Sequence, residues 1–449
     1  MEMIFTPDEP VNFISNDRLK MASFSRNIWH AIQHTQPPFV FGVLGDWGTG
    51  KTSSLYMLKE LIQLKVSVAE ETNLYIPIWF NAWQYENETN HIYPLLYSIK
   101  RDYELRVKGR EPKIDFMKSL AHVSILSTLA LTDLALRSVT NKVVGDAMGL
   151  DDIAKHFEAI TKKEHDIDKV LRDWGDCIAE LHNAYTNLLD QYAADLSLIY
   201  GIGESKIRFV IIIDDLDRCL PGTTIGVLEG IKNYLSNGRC IYVLGLNQKI
   251  VYEGIKLKYS GLTVDGREYL EKILNYSFNI PSFKASIPNF VIEELTKLVI
   301  NGVATEEQKR YFKSFGNVIS ECNFNNPRKI KRILNRFLFF LDSYRTKLTR
   351  DDKELELQIR NAVRFIILAE YFPQIFQLYI KNWEKAEQEL IGLIATTSSI
   401  EAFENKYRIN IAGIYSLILE MENLFRVERS LTIPATIRYV VDILNPREK

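Results

Sequence analysis

One lysine, one threonine and a pair of adjacent aspartates carry the chemistry that this sequence offers. Lys51 and Thr52 end the string Gly45-Asp46-Trp47-Gly48-Thr49-Gly50-Lys51-Thr52, which fits the phosphate-loop pattern G-x-x-x-x-G-K-[ST]. Glycines let backbone N–H groups turn inward around phosphate oxygens without a Cβ in the way. Lys51 is then expected to bring its ammonium to the β and γ oxygens, and Thr52 its hydroxyl to Mg²⁺. The segment beginning with Thr52 is expected to form a helix whose positive end faces the same anion. All of Gly45–Ser53 is therefore read as nucleotide-binding.

A second group of acids follows an apolar run. Asp214, Asp215 and Asp217 come directly after VIII, and ligands of open α/β sheets collect at the carboxyl ends of the strands. Asp214 is expected to hold the Mg²⁺ shell. Asp215 is expected to orient or deprotonate the attacking water, with Asp217 in reserve. Asn81 and Asn247 follow two other apolar runs and are expected on the same rim, where either could address the γ-phosphate or the water. The alternative for each is a turn residue, and Asn247 is the preferred catalytic candidate. Selective guanine readers commonly use Asn-Lys-x-Asp; Asn247-Gln248-Lys249-Ile250 lacks both the adjacent lysine and the acid, which favours ATP. The reading requires Lys51 and Asp214 to face each other across a narrow gap.

These residues need a sheet to hold them. FVFG at Phe39–Gly42, running on through Val43 and Leu44, YIPIWF at Tyr75–Phe80, RFVIII at Arg208–Ile213 and CIYVLGL at Cys240–Leu246 are short, nearly all-apolar runs. Such runs suit parallel strands buried on both faces. Helical text separates them: TSSLYMLKELIQL, with Leu55, Leu58 and Ile62 at helical spacing, and IGVLEGIKNYL. The predicted fold is an α/β, open, mostly parallel sheet with a long helical insertion and an all-helical C-terminal module. The core is assigned to residues 1–282, the insertion to about 90–205 and the helical domain to 283–449.

The bulk numbers agree. A chain of 449 residues suits two or three domains, and 55 Lys+Arg against 57 Asp+Glu leave a net charge of −2. That balance argues against a general polyanion binder. Hydrophobic residues at 46% and charged residues at 25% exclude disordered and fibrous classes. The four cysteines stand far apart and the seven histidines are scattered, so neither a disulfide framework nor a zinc site is expected. The start lacks the apolar core of a signal peptide, so a cytoplasmic location is expected. Leu120–Val139 is long enough to span a bilayer but carries His122, Asp133 and Arg137, and is read as a buried or interfacial helix.

Basic residues near the end of the helical text complete the inventory. Arg328, Arg332 and Arg336 recur every four residues and share a helix face. Arg328 or Arg332 is expected to reach the γ-phosphate; the alternative is a solvated basic stripe. Arg218 and Arg267 are candidates for an arginine acting on a neighbouring copy, with Arg218 equally suited to bracing its acidic neighbours.

With these strings in hand, the chain resembles the KAP P-loop NTPases, a family that includes bacterial phage-exclusion proteins. GDWGTGKTS (45–53), FNAWQYE (80–86), IIIDDLDRCLP (211–221) and YLEKILNYSFNIP (269–281) carry the resemblance, with NPRKIKRILN (326–335) and the opening DEPVNFISNDRLKMASF. It covers roughly residues 5–345. The resemblance implies an ATPase core with ATP and Mg²⁺ as cofactors and an insertion that in many members carries paired transmembrane helices. Here the insertion has one weak apolar stretch, so association with the inner face of a membrane is the alternative to a cytoplasmic location. Asn247 stands where relatives often have aspartate. Three functions follow: an Mg²⁺-ATPase that moves its helical parts, in phage defence; a nucleotide-gated scaffold with little turnover; and a DNA-stimulated ATPase. A partner, or a second copy, is expected on the insertion or the C-terminal helices.

Overall fold

A computed structural model describes residues 7–66, 73–86, 92–107, 119–124, 126–127, 174–259, 265–282, 286–297, 315–316, 319, 326–344, 352–382 and 385–386. Its centre is a sheet of five parallel strands in the order β2-β3-β4-β1-β5. These are β1 (Phe39–Leu44), β2 (Leu74–Asn81), β3 (Ile207–Asp214), β4 (Cys240–Leu246) and β5 (Tyr276–Asn279). The four apolar runs each form a strand, and every residue of β4 is buried. That burial on both faces explains why these runs show no polar alternation.

β5 lies at the edge of the sheet, paired only with β1. Its residues are mostly exposed, and its YSFN sequence carries none of the apolar signal that marks the inner strands. Sequence patterning alone does not find it for that reason.

Two layers of helix cover the sheet. On one face α1 (Met21–Gln33) and α2 (Lys51–Val66) pack Ile28, Trp29, Ile32, Leu55, Leu58 and Ile62 against Phe41, Val43, Ile212 and Val243. On the other lie α3 (Tyr93–Arg106), α4 (Trp174–Tyr200), α5 (Pro221–Asn233), α6 (Gln248–Lys258) and α7 (Gly266–Ile273). Both α3 and α4 fall inside the expected insertion, yet Tyr103, Tyr185, Leu188 and Tyr192 are buried in the same core as the strands. The ends of the insertion are thus part of the sheet's own cover. Leu120, Val123 and Leu126 join that core too. This accords with a buried reading for the start of Leu120–Val139; residues 125 and 128–139 lie outside the described residues. No helix among the described residues is long and apolar enough to cross a membrane.

The C-terminal helices α8 (Ile287–Lys297), α9 (Pro327–Tyr344), α10 (Asp352–Tyr371) and α11 (Pro373–Lys381) form a third core around Ile333, Phe337, Val363, Ile366 and Phe376. Met21 and Ala22 of α1 and Met57 of α2 are buried in it as well. The helical module is therefore rooted in the helices that flank the phosphate loop.

The strand order sets the spacing of the site. β4 lies between β1, which leads into the glycine loop, and β3, which ends in the acids. The register continues past the strands, with Gly45 N donating to Leu246 O at 3.1 Å and Asn81 standing opposite Asp214. A gap one strand wide therefore separates loop and acids. At its floor a Cβ on Gly245 would come 2.9 Å from Asp214 Oδ1, so glycine at this place in β4 makes room for the carboxylate.

Candidate functional site

The loop between β1 and α2 has the conformation that its glycines allow. Gly48 has φ +77° and Gly50 φ +96°, a region costly to any side chain. Lys51 begins α2, and its Nζ donates to Gly45 O at 2.9 Å and Asp46 O at 3.3 Å, folding the ammonium back over the loop. Ser54 Oγ donates to Lys51 O, and Ser25 Oγ of α1 donates to Ser54 O, which fixes this first turn against its neighbour.

Across the gap the acids take distinct roles. Asp214 is 1% exposed, and burial, then the charge of Asp215, pushes its carboxyl up to about 6. A hydrogen bond with Thr52 pulls the other way. Its Oδ2 is buried and has no hydrogen-bond partner among the described residues. Asp215 has φ 56°, a left-handed backbone that is uncommon outside glycine. Asn81 Nδ2 donates to its Oδ2 at 3.0 Å, and Arg218 Nε meets its Oδ1 at 2.8 Å. Asp217 is buried and pairs with Lys51 Nζ at 3.2 Å, while Trp47 Nε1 donates to the same Oδ2 at 3.1 Å.

A cleft of about 830 Å³ joins these groups. Its lining includes Trp47 to Ser53, Asn81, Asp214, Asp215, Asp217 and Arg218. Lys51 and Asp214 therefore face one space, as the sequence reading requires. Among the described residues no cluster of three or more His, Cys, Asp or Glu forms a ready-made metal site. A cation here would draw on Thr52, the free oxygen of Asp214 and the phosphates of a bound nucleotide.

Several expected residues sit differently. Asn247 caps α6, its Oδ1 accepting from Lys249 N at 3.1 Å. It lines a separate groove with Gly45, Asp46 and Thr49, so within this arrangement its side-chain oxygen is engaged in capping. The Asp46 side chain turns outward to Lys249, 3.5 Å away. Asn81 braces Asp215, and its Oδ1 also caps the turn at Gln84. Arg218 braces Asp215 and lies over the Trp83 ring, the second of the two roles weighed for it. Arg332 does not reach the cleft. It pairs with Glu370 of α10 at 2.8 Å, and Arg336 pairs with the same carboxylate at 2.5 Å. Arg332, 61% exposed, and Arg336, 35% exposed, are thus partly solvated as the alternative reading has it, with their guanidiniums drawn to α10 by Glu370. Arg267 is exposed beside Glu271 and lines a groove along β5.

Arg328 does line the cleft. It packs over the loop, where a Cβ on Gly48 would meet Arg328 Cβ at 2.8 Å, and Asn326 Nδ2 donates to Trp47 O at 2.6 Å. The segment before α1 crosses the same opening. Val11 N donates to Ser53 Oγ at 3.0 Å, and Ile14 N to Glu60 Oε2 at 2.6 Å. Arg18 pairs with Glu294 of α8, Arg328 pairs with Asp8, and Lys331 Nζ donates to Pro7 O. Asp8, Arg18, Asn326 and Lys331 were not singled out by sequence reasoning. The available signal was the spacing of Arg328 and Lys331, three apart and so on one face, which the four-residue arginine series obscures.

Comparison with known proteins follows this geometry. A model of the KAP family P-loop domain matches residues 21–344. The phage T7 exclusion protein of Escherichia coli (strain K12) is 24% identical over 277 residues, which cover 61% of this chain and 34% of that protein. The chain thus spans about a third of the length of that curated relative. Among solved structures, the Aeropyrum pernix ORC2 protein, in ADPNP–ADP complexes and in an ADP form, aligns over 98% of this chain and 95–96% of its own. Identity is 11% and the TM-score 0.36, too remote to bear on function.

Proposed function

The chain belongs to the KAP family of P-loop NTPases, and on that premise we propose that it binds ATP with Mg²⁺ and hydrolyses it. The observation that carries this reading is that Lys51 and a buried oxygen of Asp214, unsatisfied among the described residues, line one cleft. An orphaned carboxylate oxygen is costly unless a cation or donor meets it, and Thr52 beside it supplies the second ligand that such a cation would use. Mg²⁺ held there would neutralise charge on the phosphates. The chain's own groups do the remaining work. The loop N–H groups and Lys51 bind the phosphates, and Asp215 orients or deprotonates water. Asn81 and Arg218 hold Asp215 in its strained backbone conformation.

Coupling to the helical module is part of the proposal. Asn326 bonds the loop backbone at Trp47 and Arg328 sits over Gly48, so a loop that tightens on phosphate would pull on the start of α9. The likeness to a phage exclusion protein supports phage defence as the setting. Calorimetry with MgATP, and phosphate release by wild type and Lys51→Ala, test the core of this. Equal binding and equal turnover in both would overturn it.

A second reading, a nucleotide-gated scaffold with little turnover, is favoured by one feature. Both oxygens of Asp215 are engaged, by Asn81 and Arg218, so a water must compete for the base. Tight ATP binding without steady-state phosphate release would select it.

A further inference from the structure

Three cations converge on the outer half of the cleft: Arg18, Arg328 and Lys331 all line it. Arg328 and Lys331 are three residues apart on α9, so they share one helix face, where like charges repel. Burial pushes the Lys331 ammonium down, Arg18 and Arg328 add to that, and Asp8 and Glu9 oppose it. Glu294, which also lines the cleft, matches Arg18, so the charges that need an anion are those of Arg328 and Lys331.

The chain supplies a poor one. Asp8 pairs with Arg328, but both side chains stay substantially exposed, at 50% and 39%. Arg328 Nε is buried and finds no aligned hydrogen-bond acceptor among the described residues, so the contact is one of charge without good geometry. Among the described residues, Lys331 Nζ donates to the carbonyl of Pro7 alone. Exposed ion pairs of this kind are weak and easily exchanged. Meanwhile Arg328 lies directly over Gly48, where the loop would cradle a phosphate chain.

We infer that Lys331 joins Arg328 as a phosphate-binding pair carried by α9, with the Asp8 carboxylate holding their place until nucleotide displaces it. The inference rests on the nucleotide-binding reading above and extends it. The acidic segment before α1 is then a built-in competitor for the phosphate chain. A phosphate presents three acceptor oxygens to a guanidinium and an ammonium together, which one carboxylate and one carbonyl cannot match.

The test measures the Kd of ATP, and of inorganic tripolyphosphate by displacement of a fluorescent ATP derivative, on the full chain. Asp8→Asn removes the competitor's charge at an exposed site. It should tighten both ligands by about three- to fivefold, the worth of an exposed pair. Lys331→Gln should weaken both by about tenfold or more, and Lys331→Arg should recover most of that loss. Unchanged or weaker binding in Asp8→Asn overturns the inference, as does a Lys331→Gln protein that binds tripolyphosphate as wild type does. Shifts for ATP without shifts for tripolyphosphate also overturn it, since the contact would then be with the nucleoside. Should wild type bind neither ligand, the nucleotide reading itself fails, which is a separate and recognisable result.

Discussion

Lys51 Nζ lies 3.2 Å from Asp217 Oδ2, and the Trp47 indole donates to that same oxygen. The lysine that should grip phosphate is thus neutralised by a buried acid three residues beyond Asp214. Bound phosphate would compete with Asp217 for the ammonium and break the indole contact. Trp47, about half exposed at the mouth of the cleft, then becomes a reporter. ATP should change the tryptophan emission of wild type and leave that of Trp47→Phe nearly unchanged. An equal change in both proteins would show that Asp217 keeps its partners.

Asp214 sets a pH limit. Its carboxyl titrates near 6 in the folded chain, against a usual value of about 4. Above that pH it is charged and can hold a cation; as pH falls through about 6 it takes up a proton and MgATP affinity should fall. Affinity measured between pH 5 and 8 checks this, and a flat profile contradicts it.

The same shift has a stability consequence of opposite sign. The folded, ligand-free chain binds this proton more tightly than the unfolded chain, so the group's contribution declines as pH rises from about 4 to about 6. Above pH 6 the buried charge costs on the order of 3 kcal/mol. Asp214→Asn should therefore raise the Tm of the free protein at pH 7.5 while removing the stabilisation that MgATP gives to wild type. Thermal melts with and without MgATP read both effects.

For Asp215→Asn, nucleotide affinity should stay within a few-fold of wild type and phosphate release should drop by about 10²–10⁴-fold. Asn81→Ala, which frees Asp215 Oδ2 while leaving the carboxylate itself, should lower turnover by a smaller factor. Single-turnover rates separate the two, and equal losses of binding and turnover would move the base elsewhere.

Glu370 offers a control in the helical module. It is nearly buried and receives both Arg332 and Arg336. Glu370→Gln should cost about 1 kcal/mol of stability, since both guanidiniums are partly exposed and water replaces part of what they lose, with ATP affinity as in wild type. A large fall in affinity would return Arg332 to the site.

Much of this was legible in the sequence because the signals are local. β4 is read from Cys240–Leu246 with both ends correct, since a strand buried on two faces has no choice but to be apolar. The loop and the acids are legible because the phosphate-loop pattern fixes residue type at fixed spacing and the acids directly follow an apolar strand run. What was not legible depends on contacts far apart in the chain. β5 pairs with β1 across more than two hundred residues and has an exposed, mixed sequence. Lys331 draws meaning only from the segment that arrives over it, and Arg332 only from Glu370. The side-chain oxygen of Asn247 is engaged by its own helix start, a local use that a strand-end position does not disclose.

Met21, Ala22 and Met57 lie inside the hydrophobic interior of the C-terminal helices. A bundle anchored in that way is no flap on a hinge. Wide opening would expose those three side chains to water, so the nucleotide response should be a shear of about 1–2 Å along an oily seam. Hydrogen exchange would then register a ligand as slower opening along α1, α2 and α9 together, with the three behaving as one cooperative unit.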